Sequence, residues 1–412
     1  MDKKPEKLVP EVRFKGFTDD WEQHKLGGVA KIIGGGTPNT KIPAYWNGTI
    51  NWYTPVEIGK KIYINESQRK ITLDGLKHSS AKLLPKNSVL FTSRAGIGKM
   101  AILGEEATTN QGFQSIIPIA KELDSYFLFS LSNQLKYYGE THGAGSTFTE
   151  ISGKELAKFK LILPKLNEQK IISKLIMMMD KLISLQQRKL EFLKEIKKGL
   201  LQKMFADKSK FPILRFEGFH NEWEQRKLKN VYQKIGNAFV GTASPYYVDA
   251  GHFYLESNNI KNGQINRNHE VFINNSFYQK QSNKLLHTGD LVMVQSGHVG
   301  DTAVITQEYN NSAAHALIMF RNPKDKFLSD YLNFYFQNTS AKNKINVLAI
   351  GNTIRHVLAS DMSRFSVYFP NKDERKYISN LLLKLQYTIT LQQSKISQLT
   401  ILKKYLLQKL FI

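Results

Sequence analysis

Four short stretches of this 412-residue chain carry residue types that could do chemistry. Asp180 with Glu195-Ile196-Lys197 has the outline of a nuclease carboxylate set. Both parts fall in a stretch patterned as a long helix, where Glu and Lys solvate the outer face, and that is the reading taken. Gly96-Ile97-Gly98-Lys99 has the look of a phosphate loop. Met100, however, stands where a Ser or Thr must meet Mg²⁺, and Ser93 stands where the first glycine belongs. A tight turn with backbone approach to a ligand fits better. Ser244-Pro245-Tyr246-Tyr247 is close to the N-P-P-Y loop that holds an exocyclic amine, but the second proline and the amide side chain are missing. No F-x-G-x-G cofactor loop lies upstream of it, so it reads as a turn. The chain has no cysteine, which removes thiol catalysis, disulfides and cysteine zinc sites. Its ten histidines show no H-x-x-x-H or H-E-x-x-H spacing, so a metal site has no support.

With catalysis set aside, the positioning elements come forward. Pro164 to Phe205 has no interior proline and one glycine, Gly199, near its end. Ile172, Leu175, Met179 and Leu182 step by three and four, and the phase returns at Leu193, Ile196 and Leu200. That spacing predicts a long helix with one apolar seam, loosened in the middle where Gln186 and Lys189 fall on it beside Leu185 and Leu190. Residues 167–205 would span roughly 58 Å at about 1.5 Å per residue. Such a helix needs a partner. Pro370 to Phe411 supplies one, because at an offset of 206 Glu168 meets Glu374, Leu185-Gln186-Gln187 meets Leu391-Gln392-Gln393, and the L-L-Q-K-[ML]-F endings coincide. Its seam is Ile378, Leu381, Leu385, Leu399, Leu402 and Leu406.

The duplication extends to the rest of the chain. Arg13-Phe14-Lys15-Gly16-Phe17 returns as Arg215-Phe216-Glu217-Gly218-Phe219, and Trp21-Glu22-Gln23 returns as Trp223-Glu224-Gln225. Between lead and helix, each copy holds short β-type runs such as Ser88–Thr92 and Asp290–Val294, punctuated by glycine turns, with one helical stretch each, Ser125–Tyr138 and Leu328–Phe336. These globular parts read as α+β domains with mixed, twisted sheets. Trp46, Trp52 and Tyr254 are assigned to their cores. The domains share their closing segments and diverge between them, which suggests one scaffold with two recognition surfaces. A net charge of +23, from 58 Lys+Arg against 35 Asp+Glu, favours a polyanionic partner such as nucleic acid. No apolar leader and no run of 18 apolar residues is present, and a soluble cytoplasmic protein is expected.

Two repeats, each a variable domain followed by a P-x-x-x-E-[QR]-x-x-I helix that ends in L-L-Q-K-[ML]-F, resemble the specificity subunit of Type I restriction-modification systems over essentially the whole chain. Pro164, Glu168, Gln169 and Ile172 match the family's pattern at the helix start. The second copy departs at Arg375, where glutamine is usual, and that side chain is expected on the solvated first turn. The resemblance implies an α+β fold of two pseudo-repeated target-recognition domains separated by two long helices that form an antiparallel coiled coil. The expected divisions are an N-terminal lead (1–21), a first target-recognition domain (22–163) and a first spacer helix (164–205). A linker with the second lead (206–223), the second target-recognition domain (224–369) and a second spacer helix (370–412) follow.

The resemblance further implies a non-catalytic subunit that binds double-stranded DNA, each domain reading half of a bipartite target. Two methyltransferase subunits would dock on the helices, and separate restriction/translocase subunits would add cleavage. S-adenosylmethionine, ATP and Mg²⁺ are expected in those partners and none in this chain. A 58 Å spacer corresponds to roughly 17 bp, an upper bound on half-site separation. The readings set against this one are a self-sufficient DNA-binding protein, and a nuclease or methyltransferase with an unrecognised site. Base-reading candidates are polar residues in glycine-flanked loops, since Arg suits guanine, Asn and Gln suit adenine, and Ser or Thr suits either. They are Ser93, Arg94, Asn110, Gln111, His142, Ser146 and Thr147 in the first copy, and Gln295, Ser296, His298, Asn352, Thr353 and Arg355 in the second.

Overall fold

The computed structural model describes residues 8–94, 96–145, 149–207, 209–351 and 355–412. The chain forms two compact units, Met1–Gln186 with Lys395–Ile412, and Gln187–Ser394. Each therefore contains one globular domain, half of the long helix that follows it and part of the other long helix. Among the described residues, no helix is long and apolar enough to cross a membrane.

In the first unit, a five-stranded sheet runs in the spatial order Ala30–Gly34, Gln114–Pro118, Val89–Phe91, Met100–Leu103, Tyr63–Ile64. Its central strands are apolar along their whole length because both faces are covered, and every residue of Val89–Phe91 and Met100–Leu103 is buried. A three-stranded sheet places Trp46–Tyr53 between Arg69–Ile71, to which it is antiparallel, and Ala107–Thr109, to which it is parallel. Glu22–Lys25 pairs antiparallel with Lys160–Leu163, so the two ends of the domain leave together, next to the long helix. The sequence predicts one helix over 125–138. Instead, Ser125–Ser130 and Ser132–His142 are separate helices that meet at Leu131.

In the second unit, a four-stranded antiparallel sheet has the order Tyr232–Asn237, Leu317–Pro323, Leu291–Val294, Thr302–Val304. A second sheet runs Tyr247–Val248, Phe272–Ile273, His252–Leu255, Ala313–Ala314. Glu224–Lys227 pairs with Ser366–Phe369 in the same register as the corresponding pair of the first unit. The helices Leu328–Gln337 and Thr339–Leu348 cover the sheet. Trp46, Trp52 and Tyr254 are all buried.

Both long helices, Leu166–Lys203 and Lys372–Lys409, are 38 residues long. In the first unit, Ile172 and Ile176 share a core with Leu410 and Phe411, while further along Asp180 meets Lys403. In the second unit, Lys197 meets Gln386, and Leu201, Met204 and Phe205 share a core with Ile378 and Leu382. The helices are antiparallel in each unit.

The inward stripe, buried or half-buried along its length, keeps Ile172, Met179, Leu193, Ile378, Leu385, Leu399 and Leu406 of the predicted seam and corrects the positions between them. It runs Ile172, Ile176, Met179, Ile183, Gln186, Leu190, Leu193, Lys197, Leu201, Met204 on the first helix. On the second it runs Ile378, Leu382, Leu385, Ile389, Gln392, Ile396, Leu399, Lys403, Leu406, Leu410. Leu182 (37%), Ile196 (37%) and Leu402 (45%) are exposed, as is Lys189. The alternation of four and three is unbroken on the second helix and carries one extra residue on the first, between Lys197 and Leu201, and both stripes contain polar residues. Only every second predicted position slips: Leu175, Leu182, Lys189 and Ile196 give way to Ile176, Ile183, Leu190 and Lys197, one residue or about 100° of helix further round.

The start of each long helix is held by a buried ion pair. Arg13 donates from Nε and Nη2 to the two Glu168 carboxylate oxygens, at 2.7 and 2.8 Å. Arg215 does the same to Glu374 at 2.7 and 2.8 Å. Each arginine also donates to a carbonyl of its own lead, that of Asp19 or Asn221. Next to them, Gln169 is buried. Its Oε1 accepts from the Asp124 N–H at 2.9 Å, and its amide donates to the carbonyls of Glu122 and Pro164. Arg375, at the equivalent place, is mostly buried and not solvated as expected. It lies 2.9 Å from Asp325, with its Nε unpartnered and its pKa lowered by burial. This first-turn position faces inward because the preceding strand and the domain's helix close over it.

Candidate nucleic-acid interface

The hairpin tips carry equivalent backbone architecture in the two units. In the first, the Gly98 N–H donates to the Thr92 carbonyl, the Ser93 N–H donates to Gly112, and the Ile151 N–H donates to Ser93. In the second, the Gly300 N–H donates to Val294, and the Val357 N–H donates to Gln295. Each tip is thereby stitched to the segment that returns to the long helix. Gly96 and Gly98 have φ of +101° and +89°, while Gly297 and Gly300 have +85° and +88°. A Cβ on Gly98 would lie 2.7 Å from the Lys136 Cα. Backbone approach is thus to the helix Ser132–His142, which corrects the expectation of an approach to a ligand.

The stitching gathers several predicted residues and spends some of their hydrogen bonds. Ser93 is fully buried, and its Oγ donates to Glu150 at 3.3 Å, so it shapes the junction and presents no edge to solvent. Arg94 is partly exposed, 3.7 Å from the same Glu150. Asn110 Oδ1 accepts from the Gly112 N–H at 2.9 Å and fixes the turn. Gln111 is exposed, with Oε1 accepting from Thr37 Oγ1. His142 sits apart, at the end of its helix, stacked at 4.0 Å on Tyr138. In the second unit, Ser296 bridges His356, and His298 Nε2 lies 3.1 Å from the Ser257 carbonyl. The Arg355 guanidinium folds back onto the Asn346 and Ala349 carbonyls and caps the helix Thr339–Leu348. Ser146, Thr147, Asn352 and Thr353 lie outside the described residues.

One arginine was missed. The exposed Arg69 guanidinium stacks 3.7 Å from the Trp46 ring centroid, with Trp52 edge-on beneath it, and no carboxylate pairs with it among the described residues. Stacking holds the fork flat and leaves its donors free, the arrangement that suits bidentate binding to guanine or phosphate. In the second unit, Arg267 lies over Phe253 at 5.2 Å, but Glu270 and Glu308 neutralise it. The only sequence signal for Arg69 was an arginine at the start of a short strand downstream of a tryptophan pair. Among the described residues, no three His, Asp or Glu side chains converge in a way that could hold a metal ion.

The long helix also tunes its neighbours. Tyr126 donates its hydroxyl to Asp180 at 2.7 Å, and burial, followed by that carboxylate, pushes the phenol pKa up. Asp180 is consumed in this way and by Lys403 at 2.6 Å, so it is structural, but it and Lys197 lie inward and not on the solvated outer face that was expected.

The profile of the Type I restriction modification DNA specificity domain matches twice, over residues 18–195 and 220–400. The MjaIX specificity subunit of the Type I restriction enzyme from Methanocaldococcus jannaschii is 27% identical, covering 95% of this chain and 92% of its own. The EcoR124I/EcoR124II specificity subunit from Escherichia coli is 30% identical over 44% of this chain and 49% of its own. Among solved structures, the S subunit of a Type I restriction-modification system from M. genitalium superposes with a TM-score of 0.62 at 12% identity, over 98% of this chain and 99% of that one. With both repeats matched and the fold shared from end to end, the chain belongs to the Type I restriction-modification DNA specificity family.

Proposed function

We propose that this chain is the subunit that gives a Type I restriction-modification complex its DNA sequence specificity. Each globular domain reads one half of a bipartite duplex target, while the two long helices set the spacing and dock two methyltransferase subunits. Methyl transfer and cleavage, with their S-adenosylmethionine, ATP and Mg²⁺, take place in partner subunits in the cytoplasm. The observation that carries this reading is the double match to the DNA specificity domain, one in each unit. Supporting it are the +23 charge and two hairpin-tip junctions with one backbone plan and different side chains. Arg94, Arg69, Asn110 and Gln111 are the first domain's reading set, and Gln295 and Ser296 belong to that of the second. Arg355 acts as a helix cap.

The test is to map methylated bases in cells that express the chain with a methyltransferase subunit. The expected map is one recurring motif of two specified half-sites with an unspecified gap of no more than roughly 17 bp. A continuous motif, or methylation that does not depend on this chain, would refute the reading. Turnover of DNA by the purified chain alone would instead favour an enzyme.

A further inference from the structure

The duplication places a lysine at the same heptad position in both long helices, Lys197 and Lys403. Their surroundings differ in one respect. Lys403 Nζ lies 2.6 Å from Asp180 Oδ1, an ion pair. At the offset of 206, the counterpart of Asp180 is Gln386. Lys197 Nζ accordingly meets two neutral oxygens, Gln386 Oε1 and Gln337 Oε1, each at 2.6 Å. Both amides are held oxygen-inward, since Gln386 donates to Gln264 at 3.1 Å and Gln337 donates to the Asn333 carbonyl at 3.0 Å. The Phe334 ring lies 5.6 Å from the ammonium. Burial, with Lys342 adding to it, lowers the Lys197 pKa to about 8. Among the described residues, no carboxylate reaches it.

Lys197 borders a cavity of about 320 Å³ within the second unit, also lined by Lys194, Lys198 and Lys342 and by no acidic side chain. Lys194 and Lys342 lean on Glu191 and Asp301 at 2.9 and 3.3 Å, outside the lining. A mostly buried ammonium beside three others is costly unless a negative charge joins it. One copy of the fold supplies that charge from its own chain and the other does not.

We propose that this cavity binds a phosphoryl oxyanion, which gives Lys197 the counter-charge that Asp180 gives Lys403. Its source is either a backbone phosphate of duplex DNA or free phosphate.

The full-length chain is titrated with inorganic phosphate at constant ionic strength, with chloride as the balancing ion, and the thermal midpoint is followed. Wild type should show a saturable rise. Lys197→Met should abolish it, and Gln386→Asp, which rebuilds the Asp180 arrangement, should weaken apparent phosphate affinity at least tenfold while the chain stays folded. No saturable rise in wild type, or an undiminished response in Gln386→Asp, overturns the proposal. This arm does not depend on a DNA-reading role. Given a positive result, binding of a non-target duplex assigns the source. Weaker binding by Gln386→Asp, with a salt slope reduced by about 1, identifies a DNA phosphate. Unchanged binding identifies free phosphate.

Discussion

Arg13 and Glu168, and Arg215 and Glu374, explain why two phrases far apart in the sequence recur together. The R-F-x-G-F lead and the P-x-x-x-E helix start are two halves of one joint, closed by a bidentate ion pair that is nearly out of solvent. Removing one partner of such a pair strands the other charge. Arg215→Ala should therefore lower unfolding free energy by about 3–5 kcal/mol, read by chemical denaturation, whereas a mere surface pair would cost under about 1 kcal/mol. Lys197 gives a pH signature. Its folded pKa lies below its unfolded one, so its cost to the fold is fully present below about 8 and is relieved as pH rises toward 10.5. Lys342 is the charge that acts on it, Lys194 and Lys198 line the same cavity, and no carboxylate does among the described residues. In phosphate-free buffer, wild-type stability should gain on that of Lys197→Met between pH 8 and 10, by about 2 kcal/mol. Parallel pH profiles would refute this.

At the scale of the helix, the stripe sets which leucines matter. Leu382 is fully buried in the second unit's core, whereas Leu402 is 45% exposed although both are leucines on one helix. Leu382→Ala should cost about 2–5 kcal/mol, and Leu402→Ala should stay within about 0.5 kcal/mol. Equal losses in urea denaturation would restore the seam read from residue type. The existence of both helices and their antiparallel pairing were legible, because a repeat of 3.5 residues over 38 positions leaves no other element. Their facing was legible in part: Ile172, Met179, Gln186 and Leu193 were placed on the seam and face inward, whereas Lys197 and Lys403 hold inward positions that polarity argues against. The reading loops were legible as places and not as contacts. Whether Ser93 points out or in depends on Glu150, 57 residues away, and Arg69 depends on a tryptophan on the adjacent strand.

Taken whole, the chain separates measuring from reading. If the paired helices set the gap, one heptad added to each at equivalent positions lengthens them by about 10 Å, or roughly 3 bp of duplex. The methylation map described above should then keep both half-sites and widen the gap by that amount. A fixed gap would mean that the helices serve assembly only.

The clasp at the chain's far end bears on how the protein is made. Phe411 packs 4.9 Å from Phe127, and the Val12 N–H donates to the Lys409 carbonyl at 2.9 Å. The portion of the first unit that leaves the ribosome early must therefore wait, its apolar floor open, until the final turn of helix emerges. Contacts of such long range make folding slow and exposure during synthesis long. A cell making this chain holds an unfinished first half until the whole of the second domain has been synthesised.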